Sequence, residues 1–329
     1  MKNLILTTLL LVTASTNTFA AKFDHTPEAA CSPLDFRTEF PMPIRDQGGV
    51  SWCYGNAAAD YLQYTYRLPQ QISAADIAIS YSTTFASGAI TFFKRIFSNE
   101  SRMEPPQTGF IDLAVKHMQS RGYCPESVLP STEWPRSSKD GQTKVRLLQA
   151  IMDLYSLQAE VQAGVIGSAS ELPWFYNLKN MNQDLFFTLL RDNTQNKLLP
   201  AIDSVVCQND RHDYPAYPIK RRFSIRSKHI FQNINNSFNN DMPSTIDFFS
   251  DVYDNYDHPK KRLADLHTVL LYGRKFDPVA KECTYILRDS HGTNCSQYDP
   301  KIPCDGGFLT FPESKLYDVM TSSLTIERL

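Results

Sequence analysis

Residues 44–60, Ile-Arg-Asp-Gln-Gly-Gly-Val-Ser-Trp-Cys-Tyr-Gly-Asn-Ala-Ala-Ala-Asp, constrain this chain more than any other stretch. Gln47 and Gly48 read as a tight loop. Cys53 follows at the head of an alanine-rich run in which Tyr61, Leu62 and Thr65 keep helical spacing, so the cysteine is expected to open a helix. At a helix N-terminus the unpaired N–H groups and the macrodipole favour negative charge, which stabilises a thiolate and makes the thiol a nucleophile near neutral pH. Gln47 can place an amide donor beside the sulfur, and that amide with the Cys53 N–H makes a two-donor oxyanion hole for acyl transfer. The competing reading of the stretch by itself is an inert cysteine in a buried helix.

Composition narrows the setting. Met1–Ala20 carries Lys2, an apolar run over Leu4–Val12 and a small-residue end at Thr18-Phe19-Ala20, which reads as a secretory signal peptide and is too short for a membrane span. No later stretch is apolar for long enough to cross a bilayer. The expected mature product, 21–329, is therefore exported, secreted or periplasmic, and long enough for one large or two small cores. A formal charge of −2 gives no case for nucleic acid or an anionic membrane as partner. All 7 cysteines fall after the signal. An oxidising compartment favours disulfides among Cys31, Cys124, Cys207, Cys283, Cys295 and Cys304, leaving Cys53 as one free thiol, and sequence does not choose the pairings.

The Cys53 stretch resembles the active-site segment of papain-like cysteine peptidases, the family of papain and the cathepsins. Leu34-Asp35-Phe36-Arg37 looks like the start of that family's mature enzyme, and Arg45-Asp46-Gln47-Gly48 like its Gln-Gly loop. The immediate neighbours depart from it: Val50-Ser51-Trp52-Cys53-Tyr54 stands where relatives usually have Cys-Gly-Ser-Cys-Trp. The resemblance implies a disulfide from the position of Val50 to one near Gln107, and both halves are missing together, as expected of a kept fold with a rewired disulfide set. Two later segments extend the likeness. His267-Thr-Val-Leu-Leu-Tyr-Gly273 resembles the family's His-Ala-Val-x-x-Val-Gly-Tyr-Gly, which implies His267 as the base, and Asp289-Ser290-His291-Gly292 resembles Asn-Ser-Trp-Gly, which puts Asp289 in place of the orienting asparagine. His291 replaces the tryptophan that shields the triad. The resemblance also implies that Gly109 belongs to a loop pairing with substrate backbone; a turn glycine before a helix is the competing reading.

Along the chain, 21–46 reads as an extended arm, the Cys53 helix as closed by Pro69, and Ser73-Ala-Ala-Asp76 as a capped start of a second helix through about Phe85. Residues 86–106 read as loop. A third helix carries Phe110, Leu113, Ala114, His117 and Met118 on one face and ends at Gly122, with His117 a packed core histidine. The resemblance covers roughly 34–130 and 240–312 and lapses over 136–228, where 144–161 and 174–192 have helical spacing, so a helical insertion is expected there. It accounts for a Cys53-to-His267 separation larger than the about 130–150 residues of the family signature. Lys220, Arg221, Arg222, Arg226 and Lys228 read as a solvated basic face, or as an acidic-ligand site. Short β-rich runs at 244–249, 268–273, 284–288, 308–311 and 324–327 favour an antiparallel sheet or open barrel.

Helices first and strands later give an α+β class. Together with the resemblance this implies a two-lobed, papain-like fold, a helical lobe with Cys53 facing an antiparallel β-barrel-like lobe with His267 and Asp289. The implied function is peptide-bond hydrolysis through a Cys53 acyl-enzyme, with a peptide or protein as substrate. No cofactor is expected, and no metal, because the cysteines lack paired short spacing and the histidines are scattered. The Leu34–Arg37 segment follows soon after the signal, leaving no room for a large N-terminal inhibitory pro-region, so control is expected from the 136–228 insertion or a separate inhibitor protein. Two alternatives stand beside this reading: a cell-wall peptide amidase or acyl transferase on the same fold, and a catalytically silent binding module.

Overall fold

The Cys53 helix forms because its apolar and small residues run unbroken to Tyr66, and it ends because Arg67 takes a left-handed conformation (φ 52°) and returns its N–H to Gln63 and Tyr64. Arg67, two residues before Pro69, is thus the stop signal. In this computed structural model, which describes residues 25–84, 109–215, 219–225, 230–262 and 265–328, all 14 residues of that helix are buried. The proposed signal peptide, the 86–106 loop, the neighbourhood of Gln107 and Arg226–His229 lie outside the described residues.

Helices α1 (Phe36–Glu39), α2 (Cys53–Tyr66), α3 (Ala74–Ser82) and α4 (Ile111–Arg121) make the first lobe. The Ser73 hydroxyl caps α3 by accepting the Asp76 N–H at 3.0 Å, as the Ser-Ala-Ala-Asp pattern predicts. Gly55 lets α2 and α3 close up, since a Cβ there would stand 3.0 Å from the Ala74 carbonyl oxygen. The α4 face differs from the expected one. Ile111, Ala114, Val115 and Met118 are buried, while Phe110 is exposed at the helix start.

The second lobe is one antiparallel sheet. It comprises β1 (Leu34–Asp35), β5 (Ile219–Ile225), β6 (Ser244–Phe249), β7 (Leu266–Asp277), β8 (Glu282–Arg288), β9 (Cys304–Asp305), β10 (Phe308–Pro312) and β11 (Met320–Arg328). The strand path runs β5-β11-β6-β7-β8-β10-β9, with β1 added on β7, and its two ends do not pair, so the lobe is an open sheet and no closed barrel. The class is α+β, as the order of helices and strands implied. Gly273 in β7 is required by close approach, because a Cβ there would meet the Leu34 carbonyl oxygen at 2.7 Å. Helix α2 packs against β6 and β7, and helices α8 (Ile230–Phe238) and α9 (Glu313–Val319) also pack on the sheet. An aromatic cluster joins the lobes, with Phe36 5.0 Å from Tyr64, 5.5 Å from Phe238 and 5.9 Å from Tyr272 between ring centres.

Residues 136–228, where a helical insertion is expected, are only partly helical where described. They hold α5 (Leu147–Gln162), α6 (Gln183–Asp192) and α7 (Gln195–Cys207), together with a small sheet of order β3-β2-β4 from Glu133–Ser138, Gly141–Arg146 and Trp174–Tyr176. Their last described stretch is β5 of the main sheet, so Lys220, Arg221 and Arg222 lie in a strand and not on a loop. Arg221, Phe223 and Ile225 fall on one face of that strand, a period of two that the run of three charges hides. Disulfides Cys31–Cys283, Cys124–Cys207 and Cys295–Cys304 pair the six expected cysteines, and Cys53 is free. Among the described residues no helix is long and apolar enough to cross a membrane.

Candidate active site

Cys53 is the first residue of α2, so its N–H has no intrahelical partner and faces outward along the helix dipole. The sulfur-bearing residue is 8 % exposed. His267, from the second position of β7, is buried beside it. Its Nε2 lies 2.7 Å from Asp289 Oδ1, and since an ionised carboxylate only accepts, that nitrogen carries the hydrogen and the other, Nδ1, is left for Cys53. Burial by itself would lower the His267 pKa. The charge of Asp289, then the charge of Cys53 and hydrogen bonds to both, outweigh it and raise the value to about 10. Asp289 and Cys53 thus both favour the protonated form of the ring.

Asp289 has more partners than a simple third member needs. Oδ1 accepts the Tyr253 hydroxyl at 3.1 Å as well as His267; Oδ2 accepts the Tyr298 hydroxyl at 2.7 Å, His291 Nδ1 at 2.6 Å and the His291 N–H at 3.3 Å. Burial would raise its pKa, but His267 and His291 hold it well below the usual carboxylate range. His291 also partly replaces the missing aromatic cover. Its ring lies 4.8 Å from that of His267 at 33°, and Tyr253 stands edge-on to His267 at 5.7 Å.

Gln47 is fixed from the other side. Its Oε1 accepts the Ser290 hydroxyl at 2.8 Å, so its Nε2 is the free end of the amide, and its backbone N–H donates to the Ser290 carbonyl at 2.8 Å. Gly292 N–H donates to the Arg45 carbonyl at 2.9 Å, so the loops of Gln47 and Asp289 are stitched along three consecutive residues. The same loop leans on Thr132, just ahead of the expected insertion, and on Arg146 within it, whose Nη2 donates to Asp46 Oδ2 at 2.7 Å. Thr132 Oγ1 donates to the Asp46 carbonyl at 3.0 Å, and a Cβ on Gly48, which has φ +62°, would sit 3.3 Å from the Thr132 carbonyl oxygen.

A buried charge cluster sets these loops against α2. Asp60, two turns along from Cys53, accepts Arg45 Nε at 2.6 Å on one oxygen and Arg288 Nε at 2.6 Å on the other. Arg45 also donates to the Ile72 carbonyl at 2.9 Å and Arg288 to the Met42 carbonyl at 2.9 Å. Burial alone would raise the Asp60 pKa, but the two guanidinium groups lower it, so the carboxylate stays charged. Arg45 lies two residues before Gln47 and Arg288 directly before Asp289, so one carboxylate on the Cys53 helix locates both. The sequence reading missed this cluster. Its signal was there, because Asp60 is the one charged residue in an otherwise uncharged helix, and a lone buried charge demands partners.

Gly109 lies against the next residue of the site. A Cβ on it would meet the Tyr54 ring at 2.7–2.8 Å, so a glycine is needed there for packing alone. His25, His212 and His258 are exposed, and His229 lies outside the described residues. His117 is half-buried and its Nε2 has no hydrogen-bond partner; burial and Arg121 lower its pKa, which suits a neutral packed residue.

No protein-family model matches the chain, and no curated protein matches it. Among solved structures it is similar to a cysteine protease of Carica candamarcensis in complex with E-64, at 10% identity over 90% of this chain and 98% of that one with a TM-score of 0.46. It is similar to the bromelain protease of Ananas comosus at 10% identity, over 92% and 100% of the two chains, with a TM-score of 0.42. It is also similar to digestive procathepsin L 3 of the Tenebrio molitor larval midgut at 12% identity, over 95% and 77%, with a TM-score of 0.44. The solved structures that this chain is similar to are papain-like cysteine proteases.

Proposed function

We propose that the chain is an exported cysteine peptidase of the papain type, with Cys53 as nucleophile, His267 as acid and base, Asp289 as the group that holds His267, and Gln47 as oxyanion donor. The single observation that carries the reading is the placement of the buried His267 ring between Cys53 and a carboxylate, with its pKa raised to about 10. In the proposed reaction the Cys53 thiolate attacks a peptide carbonyl carbon and the carbonyl oxygen takes the negative charge. Gln47 Nε2 and the Cys53 N–H donate to that oxygen. The C–N bond breaks as His267 Nδ1 gives its proton to the leaving amine. Water, deprotonated by His267, then cleaves the thioester and restores the thiol. Gly109 is proposed to pair with substrate backbone, beside its packing role against Tyr54. Three disulfides support export to an oxidising compartment, and control is proposed to come from a separate inhibitor or from the insertion that contacts the Gln47 loop.

Cys53→Ala should abolish peptide hydrolysis with the unfolding transition unchanged, and Gln47→Ala should lower kcat by about a hundredfold or more. The measurement is turnover of a mixed peptide library, paired with labelling by a thiol-directed epoxide. Full activity of Cys53→Ala protein would sink the assignment. Fast labelling of Cys53 without turnover of any peptide would point to an amidase or transferase, and no labelling at all to a silent binding module.

A further inference from the structure

Spacing along the sequence gave no metal set, yet the fold brings two imidazoles and a carboxylate together from His267, Asp289 and His291. The ligand atoms of His267, Asp289 and His291 all lie within 4.8 Å of one another. His267 Nε2 and His291 Nδ1 point at the same carboxylate, at 2.7 Å and 2.6 Å. We propose that His267, Asp289 and His291 form a zinc site on the side of His267 away from Cys53, and that zinc bound there blocks the enzyme; the blocking, unlike the binding, rests on the peptidase reading.

Two nitrogens and one oxygen suit zinc, whose bonds to such atoms are about 2.0–2.2 Å long, with a water completing a tetrahedron. Such bonds place neighbouring donors roughly 3.3 Å apart, so the present nitrogen–oxygen spacings must open by less than about 1 Å. His291 can supply that movement: its side chain is 33% exposed and Gly292, with φ +82°, follows it. That exposed flank also gives the ion and its water a way in. Tyr253 and Tyr298 remain on the two oxygens of Asp289 and hold the carboxylate plane, the task of outer partners in a metal site. The ion takes the nitrogen that the Asp289 bond uses, so it removes the hydrogen bond that orients His267 and leaves the thiol untouched. A second cluster, Asp76 with Asp203 and Cys207, offers no rival. Its carboxylates are paired with Arg211 and Arg121, and Cys207 is in a disulfide.

The test uses zinc chloride and the full-length Cys53→Ala protein, in which no thiol can bind the ion. Calorimetric titration should show one zinc per chain. Adding His291→Phe, which keeps a ring over His267, or His291→Gln, which keeps a donor to Asp289, should weaken binding at least tenfold. In the protein with Cys53 intact, zinc should inhibit peptide hydrolysis and the His291 variants should need at least tenfold more zinc. No binding by Cys53→Ala protein, or equal affinity in both His291 variants, would overturn the site. Binding that requires Cys53 would overturn it too, by placing the ion on the sulfur side. Because the titration needs no turnover, it can succeed where the peptidase reading fails, and the reverse.

Discussion

Asp289 is the residue where this chain departs most consequentially from the asparagine of the family it resembles, and the departure has a sign. A carboxylate accepts the His267 Nε2 hydrogen at least as well as an amide oxygen, and its charge favours the imidazolium. The raised His267 value, about 10 against an ordinary 6.5, means that its imidazolium is kept until pH rises through that value. Any stability from the imidazolium follows the same course: it is fully present below the unfolded value of 6.5 and declines above it. Asp289→Asn should remain active, with the alkaline limb of kcat/KM moved to lower pH. Asp289→Ala should lose kcat as well. Superimposable pH–rate profiles for the three proteins would show that Asp289 does not act on His267. Sequence singled out Cys53, His267, Gln47 and Asp289 one by one, but not the contacts of His291. Its substitution for tryptophan read as a lost shield, whereas the ring covers His267 and grips Asp289 at once.

At the level of elements, the Cys53 helix does two jobs with one side. Its N-terminus presents the sulfur, and Asp60, further along, fixes the loops that carry Gln47 and Asp289. Removing Asp60 leaves Arg288 with carbonyl partners but no carboxylate, and Arg45 with Glu126 at 3.4 Å as its remaining carboxylate. Breaking a buried charge cluster in this way costs about 3–5 kcal/mol. Asp60→Ala should therefore destabilise the protein by about that much in urea unfolding, and lower kcat without touching any reacting atom. A loss below about 1 kcal/mol would mean that water enters and satisfies Arg45 and Arg288. The helix itself was plain in the sequence because apolar spacing and small residues are local signals. Strand β5 was not, since Lys220-Arg221-Arg222 looks like a charge run until β11 supplies a partner in register, Arg222 opposite Thr325.

For the whole molecule, the Cys124–Cys207 disulfide closes a loop of 83 positions and ties the end of α7 to the segment following α4. In the chain-entropy account a loop of that size stabilises by about 4–5 kcal/mol, so Cys124→Ser with Cys207→Ser should lower the urea midpoint and open the insertion to limited proteolysis first. Unchanged proteolysis would show that packing of α7 on α3 suffices. What the sequence by itself determined is what short-range physics writes: the helix that starts at Cys53, the Ser73 cap, the β-rich runs of the last third, the α+β class and the one unpaired cysteine. Tertiary structure alone decided the disulfide partners, the strand order of the open sheet, and the mix of helices and strands within 136–228. It also decided the double grip of Asp60 and the meeting of His267, Asp289 and His291. Each of these joins residues far apart in the chain, and such contacts depend on which surfaces the packed elements bring together, which no local propensity or spacing encodes.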